Sequence, residues 1–372
     1  MSTKNAVIIV DSGFSRDAVA KVKKLIAFYD LTSGITVTGT PFIAGEQSTF
    51  VLDNLCHDPL NHGTVILQRL LELNGDCAII LVRAFAGDSL IRTAWVDGKI
   101  VRDGWIEAYV SARQLCQSRA MTSVANLSFG GFGHAQDGSG WESFNLSNSA
   151  TSERSRQDQP AQNLAGHILV AACGPGDGRA IHCSFTSSET TFVQGFQRDT
   201  STYNLWVDRN VSSNSQHSGW HLKVMLNGRE VAWHEGKFIA PNMWNDRQQL
   251  TFVVEGEGHF EFAITAVAHS TPTRFDVFIS QTSGASFFDN VDTELVSEPA
   301  CLSQVIAVGL QHGSYGRCNV HGVAKPEIKL PGDGPISFRT PEITFAVATL
   351  LEVEPTLDVA QVRQRLLAQY CS

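Results

Sequence analysis

Asn5-Ala6-Val7-Ile8-Ile9-Val10-Asp11-Ser12-Gly13 is the stretch that decides the fold. An uninterrupted β-branched run reads as a strand buried on both faces, and Asp-Ser-Gly ends it in a turn. Ser15 then reads as an N-cap, and Ala18, Val22, Leu25, Ile26 and Tyr29 fall at helical spacing, so a helix is predicted there. Ala78–Phe85, Val124–Ser128 and Ile168–Ala172 repeat the continuous apolar run, the last two leading into glycine. Asp97-Gly98 marks a hairpin within Trp95–Val101, and Trp105, Ile106, Tyr109, Val110, Arg113 and Cys116 line one side of a following helix. Apolar strands separated by helices imply an α/β domain of three layers, with a mainly parallel sheet covered on both faces.

From Ser184 to Glu298 the period changes to two. Trp220, Leu222, Val224 and Leu226 alternate with His221, Lys223 and Met225, and Asn227-Gly228 turns the chain into Arg229–His234. Phe260, Phe262 and Ile264, and then Phe275, Val277 and Ile279, continue the alternation, as expected of an antiparallel sandwich or jelly roll. The α/β grammar then returns with a strand at Leu302–Val308 and a buried helix over Ile336–Leu351. Thr356 reads as the cap of a last helix carrying Val359, Val362, Leu366 and Tyr370. The expected division is an α/β domain of residues 1–183 and 300–372, interrupted by a β module of residues 184–299. Ser147–Gln162, polar throughout, reads as an exposed flap.

A formal charge of −9 over 372 residues, with no cluster of Lys and Arg, argues against a nucleic-acid partner. No apolar run reaches the roughly 18 residues that a membrane helix needs. The opening Met1-Ser2-Thr3-Lys4 enters the first strand at once, without a signal-peptide pattern, so a cytoplasmic location is expected. The eight cysteines show no paired spacing and read as free thiols, which fits a reducing compartment. Cys56-His57 and His182-Cys183 are the local Cys/His clusters, and neither has the spacing of a tetrahedral metal site. No cofactor is required on this reading.

Three stretches place a catalytic residue type at the end of an element. Asp11 closes the first strand, His62 in Asn61-His62-Gly63-Thr64 opens a helix, and Ser337 in Pro335-Ile336-Ser337-Phe338 opens another. Acyl transfer needs a hydroxyl to attack, an imidazole to take its proton and a carboxylate to orient the imidazole. The chain order acid, imidazole, hydroxyl separates the known families that use this chemistry.

Here the sequence resembles the subtilisin-like serine peptidases, the subtilases. The family pattern D-[ST]-G matches Asp11-Ser12-Gly13, and H-G-T matches His62-Gly63-Thr64. N-x-S-x-G-G matches Asn126-Leu127-Ser128-Phe129-Gly130-Gly131, and V-A-A-x-G matches Val170-Ala171-Ala172-Cys173-Gly174. V-I-A-V-G is found at Val305–Gly309 and K-P-[DE]-I-x-x-P-G at Lys325–Gly332, while Ser337, Phe338 and Pro341 match the nucleophile motif. The resemblance implies a catalytic triad of Asp11, His62 and Ser337 acting on a peptide or protein substrate, with selective processing of a precursor expected. It implies that Ser128, Phe129 and Gly130 pair with the substrate backbone, and that Ala171, Ala172 and Cys173 wall the first specificity pocket. Many members hold structural calcium, but no compact Asp/Asn run specifies a site here. Secreted members carry a pro-domain, whereas Asp11 lies within the first dozen residues, so folding without one is expected.

The family pattern is broken at two places. An Asn that donates to the developing oxyanion follows the V-A-A-x-G strand, and Pro175 stands there instead, with neither a side-chain amide nor a backbone N–H. The remaining oxyanion candidates are the Ser337 N–H, Asn126 and a loop amide near Gly176. Arg339 stands where the family has Ala, and a charge beside the nucleophile needs a carboxylate or solvent. A catalytically impaired subtilase serving as a binding or regulatory protein, and a transpeptidase or macrocyclase, are the alternative readings. The β insert also resembles the arrangement in clostridial spore-germination subtilases, a family with inactive members. Oligomerisation through the insert is a further expectation.

Overall fold

A computed structural model describes residues 5–38, 56–130, 146, 165–174, 180–208, 219–237, 247–267, 273–279, 284–291 and 296–370, apart from 88, 92, 97–98, 103, 290, 292–295, 314–318 and 321–322. Strand β1 (Asn5–Asp11) is buried at every position. Its residues alternate between two cores: Ala6, Ile8 and Val10 pack on one face of the sheet, and Val7 and Ile9 on the other. Each fully buried Val or Ile contributes about 1.5–3 kcal/mol, so the strand is fixed by burial on both sides.

The chain continues through β2 (Lys24–Asp30), β3 (Ile35–Thr38), β4 (Ala78–Arg83), β5 (Thr122–Leu127) and β6 (His167–Ala172). Helices α1 (Arg16–Val19), α2 (His62–Leu73) and α3 (Gly104–Ser118) lie between them. After the β module come β16 (Val305–Leu310), β17 (Ile328–Leu330), α4 (Thr340–Val353) and α5 (Val359–Tyr370). The sheet order is β17-β16-β6-β5-β1-β4-β2-β3, parallel except for the antiparallel edge pair of β2 and β3. Helix α3 packs on one face, and α2, α4 and α5 on the other.

The β module comprises β7 (His182–Ser187), β8 (Thr191–Gln197), β9 (Ser201–Asp208), β10 (Gly219–Leu226), β11 (Arg229–Lys237), β12 (Arg247–Val254), β13 (Gly258–Val267), β14 (Thr273–Ile279) and β15 (Ala285–Phe287). A four-stranded sheet (β7-β14-β9-β12) faces a five-stranded one (β11-β10-β13-β8-β15). Their shared core is aromatic: Tyr203 packs edge-on to Phe262 at 4.8 Å, and its hydroxyl donates to Gln197 Oε1 at 2.7 Å. Asn227 and Gly228 turn the chain between β10 and β11, both at positive φ.

Several expectations need correction. The helix predicted from Ala18 to Tyr29 is one turn, α1, followed by strand β2. Leu25-Ile26-Ala27-Phe28-Tyr29 is itself a continuous apolar run: pairing with β4 and β3 occupies both of its edges, and its two faces pack into the two cores. The strand expected at Leu302–Val308 begins at Val305. The helix expected over Ile336–Leu351 is a 3-10 turn, Ile336–Phe338, followed by α4, because Pro341 lacks the N–H that an unbroken helix would use. Asp358, not Thr356, caps α5: Gln361 N–H donates to Asp358 Oδ1 at 2.8 Å, and Asp358 N–H donates back to Gln361 Oε1 at 2.9 Å.

The first strand of the module starts at His182, and Cys183 bridges to Val291. Cys77 and Cys116 are free, and burial pushes the Cys77 thiol up to about 11 and the Cys116 thiol up to about 12. Among the described residues no helix is long and apolar enough to cross a membrane, and no cluster of three His, Cys, Asp or Glu is placed to hold a metal. The flap expected at Ser147–Gln162 lies outside the described residues, as do Pro175, Gly176, Cys318 and Cys371.

Candidate active site

Asp11 sits at the carboxyl end of β1, where the parallel sheet opens, with Arg83 of β4 beside it in register. Its carboxylate is buried and accepts two short hydrogen bonds at Oδ1: from the Ser12 N–H at 2.7 Å and from His62 Nδ1 at 2.7 Å. Opposite an ionised carboxylate Nδ1 carries the proton, so the neutral ring presents Nε2 as an acceptor.

His62 opens α2, and the elements that bring it to Asp11 leave no room for side chains at two glycines. A Cβ on Gly63 would run into the Gly13 carbonyl and the Asp11 side chain, and a Cβ on Gly13 into the His57 carbonyl. The glycines of Asp-Ser-Gly and His-Gly-Thr thus serve one close approach between β1 and α2. Asn61, at the N-cap, makes no side-chain cap bond. The helix donors go elsewhere: Gly63 N–H to Ser12 Oγ at 3.1 Å, and Thr64 N–H to Asp58 Oδ2 at 2.8 Å.

Burial lowers the His62 pKa, but the hydrogen bond to Asp11 and the charges of Asp11 and Asp58 outweigh it, so the ring titrates above its ordinary 6.5. Asp58 was not singled out in the sequence; its only local signal is its place four residues ahead of the histidine.

Ser337 lies in the 3-10 turn, half-buried. The next residue, Phe338, places its ring 5.4 Å from the His62 imidazole, and Ser128 Oγ donates to the Ser337 carbonyl at 2.8 Å. The turn that bears the hydroxyl is thus packed against the imidazole and tied to the end of β5. Among the described residues no hydrogen bond joins Ser337 Oγ to His62, and the Ser337 N–H has no acceptor. Arg339 has its carboxylate partner three residues on: Glu342 takes Nε at 2.6 Å and Nη2 at 3.1 Å. Arg69 of α2 reaches the same carboxylate at 3.2 Å, so the charge cluster spans α2 and α4.

The remaining expected site residues lie deeper. Asn126 is fully buried, its amide donating to Ser128 Oγ at 2.9 Å and its Oδ1 accepting from Thr344 Oγ1 at 2.8 Å. One hydrogen of that amide thus holds Ser128 in place. Phe129 packs edge-on to Phe85 and Trp105 at 5.2 and 5.5 Å. Ala171, Ala172 and Cys173 are buried, and Ser297 lies across them: its Oγ donates to Ala172 O at 3.0 Å and its N–H to Cys173 O at 3.1 Å. Gly130 abuts the same Ser297 hydroxyl. Ser297 therefore joins the two segments expected to wall a substrate pocket; no sequence signal pointed to it, because it falls within the stretch assigned to the β module, after that module's last strand.

No family model and no curated protein matches this chain. Among solved structures the chain is similar to the Clostridium perfringens CspB protease, with 14% identity and a TM-score of 0.73 over 98% of this chain and 86% of that one. Broad bean stain virus and TmCBM61 in complex with beta-1,4-galactotriose match at 13% and 11% identity. They span 26% and 28% of this chain and 61% and 68% of theirs, at TM-scores of 0.18 and 0.16, and carry no argument. What nearly the whole chain shares with the CspB protease, at so low an identity, is its fold: a large mixed sheet with helices and added antiparallel sheets.

Proposed function

We propose that this chain is a subtilisin-like serine endopeptidase in which Ser337 is the nucleophile, His62 the base and Asp11 the orienting carboxylate. The observation that carries the reading is the 2.7 Å bond between His62 Nδ1 and a buried Asp11, next to the turn that holds Ser337. The motif order and the fold likeness to a protease support it.

Asp11 holds the tautomer in which His62 Nε2 is free to accept a proton. On attack, the Ser337 proton passes to Nε2 as Oγ bonds to the scissile carbonyl carbon. The imidazolium then protonates the leaving amine, and the acyl-enzyme is hydrolysed by water that His62 deprotonates. The Ser337 N–H, without an acceptor among the described residues, supplies one oxyanion donor. Pro175 supplies none, and loss of one such donor costs roughly 10²–10³ in kcat, so the enzyme is expected to be slow. Selective cutting of a peptide or protein precursor suits a slow enzyme.

A fluorophosphonate probe should label the wild type and not Ser337→Ala. Absence of labelling, together with no cleavage of a peptide library across roughly pH 6–9, would falsify the reading. A second reading, a cleft that holds a peptide without cutting it, draws on Pro175 and on the absence of a bond between Ser337 and His62 among the described residues. Intact peptide recovered after long incubation, with the same affinity in Ser337→Ala, would favour it. Capture of the acyl group by an amine would instead leave ligated or cyclised products, separable by mass spectrometry.

A further inference from the structure

We infer that Asp58 is a positioning residue: its carboxylate clamps the Asp11 turn to the His62 helix and holds the imidazolium that forms at its end. The inference rests on the reading of His62 as the base. Its two oxygens divide the task. Oδ1 accepts from Ser12 Oγ at 2.8 Å, and Oδ2 accepts from the Thr64 N–H at 2.8 Å. Ser12 in turn donates its N–H to Asp11 Oδ1 and accepts from the Gly63 N–H. One carboxylate therefore bridges two segments about 50 residues apart, each of which carries one partner of the Asp11–His62 bond.

The electrostatic need follows from the position of the histidine. As the first residue of α2, His62 stands at the positive end of a helix dipole, which disfavours a protonated ring. A carboxylate bound to the Thr64 N–H of that same turn offsets the dipole where it acts. From β1 the ring faces Asp11, and from the segment ahead of α2 it feels Asp58. The 3-10 turn contributes Phe338 and Ser337, neither charged at neutral pH, and the Arg339, Glu342 and Arg69 charges pair with one another. Asp11 and Asp58 are accordingly the carboxylates that stabilise the imidazolium.

The test separates charge from capping. Asn and Ser accept helix N–H groups nearly as well as Asp but carry no charge. In the Ser337→Ala protein, the His62 ring proton is titrated by NMR with Asp58, with Asp58→Asn and with Asp58→Ser. The midpoint should fall in both variants and be restored in Asp58→Glu. In the protein that retains Ser337, Asp58→Asn should lose on the order of tenfold or more in kcat, with KM little changed. An unchanged midpoint in either uncharged variant overturns the inference. The titration needs no turnover, so a protein that never cuts peptide sinks the peptidase reading and leaves the Asp58 measurement decisive.

Discussion

Burial and charge pull His62 in opposite directions, and the outcome sets two pH dependences of opposite sense. Burial disfavours the imidazolium, the Asp11 hydrogen bond and the two carboxylate charges favour it, and the pKa ends above 6.5. Since the folded value exceeds the unfolded one, the stability drawn from this pair is fully present below 6.5 and is lost as pH rises through the raised value. The proposed mechanism needs the neutral ring, so activity is expected to grow over the same interval. The acid limb of kcat/KM should therefore lie above 6.5, and Asp11→Asn should move it down while reducing kcat by roughly 10⁴. A limb at or below 6.5 in the wild type would show that the two carboxylates do not outweigh burial at His62. Asp11 and His62 were legible in the sequence because each stands within its own glycine motif. Asp58 and Ser297 were not, because neither stands in such a motif and each acts on a segment distant in the chain, 46 residues away for Ser12 and 125 for Ala172.

Elements were legible where burial is two-sided and illegible where a short break decides the outcome. Strands β1, β4, β5 and β6 follow from continuous apolar runs, whereas Ala18 to Tyr29 satisfies a helical spacing that the sheet overrides at β2. The break between the 3-10 turn and α4 lies at Arg339, and that arginine gives the break its hold. It grips Glu342 with two nitrogens and the Pro331 carbonyl with a third, at 2.9 Å. Through Glu342 the Ser337 turn is tied to Arg69 on the His62 helix. Removing the carboxylate in Glu342→Ala should cost about 1 kcal/mol, since the cluster is partly exposed but bidentate. Urea denaturation measures that cost. Because the tie joins α2 to the Ser337 turn, kcat should fall more than KM rises; equal kcat in the two proteins would show that the tie does not position the hydroxyl.

At the scale of the whole molecule, the chain leaves the sheet after β6, builds a sandwich with its own core, and must find the sheet again at β16. Among the described residues the sandwich core shares none with the two cores of the α/β domain, so the returning segment needs its own anchor. Glu327 is that anchor. Its Oε2 accepts from the Ala307 N–H of β16 at 2.8 Å, and its Oε1 accepts from Lys325 Nζ at 2.8 Å and from Arg363 Nε of α5 at 2.8 Å. Lys325 also donates to the Val305 carbonyl, and Arg363 to the Ser303 carbonyl at 2.6 Å. Burial depresses the Lys325 pKa below 10.5 despite the pull of Glu327. The unfolded chain thus holds that proton to higher pH than the folded one, and stability rises with pH through the window below 10.5. Glu327→Gln leaves a fully buried ammonium without its compensating charge. It should lose about 3 kcal/mol or more at neutral pH and recover part of it as pH rises. Adding Lys325→Met to that variant removes the stranded charge and should restore most of the loss, read by thermal and urea unfolding. A small, pH-independent loss in Glu327→Gln would show that packing alone brings the chain back to the sheet.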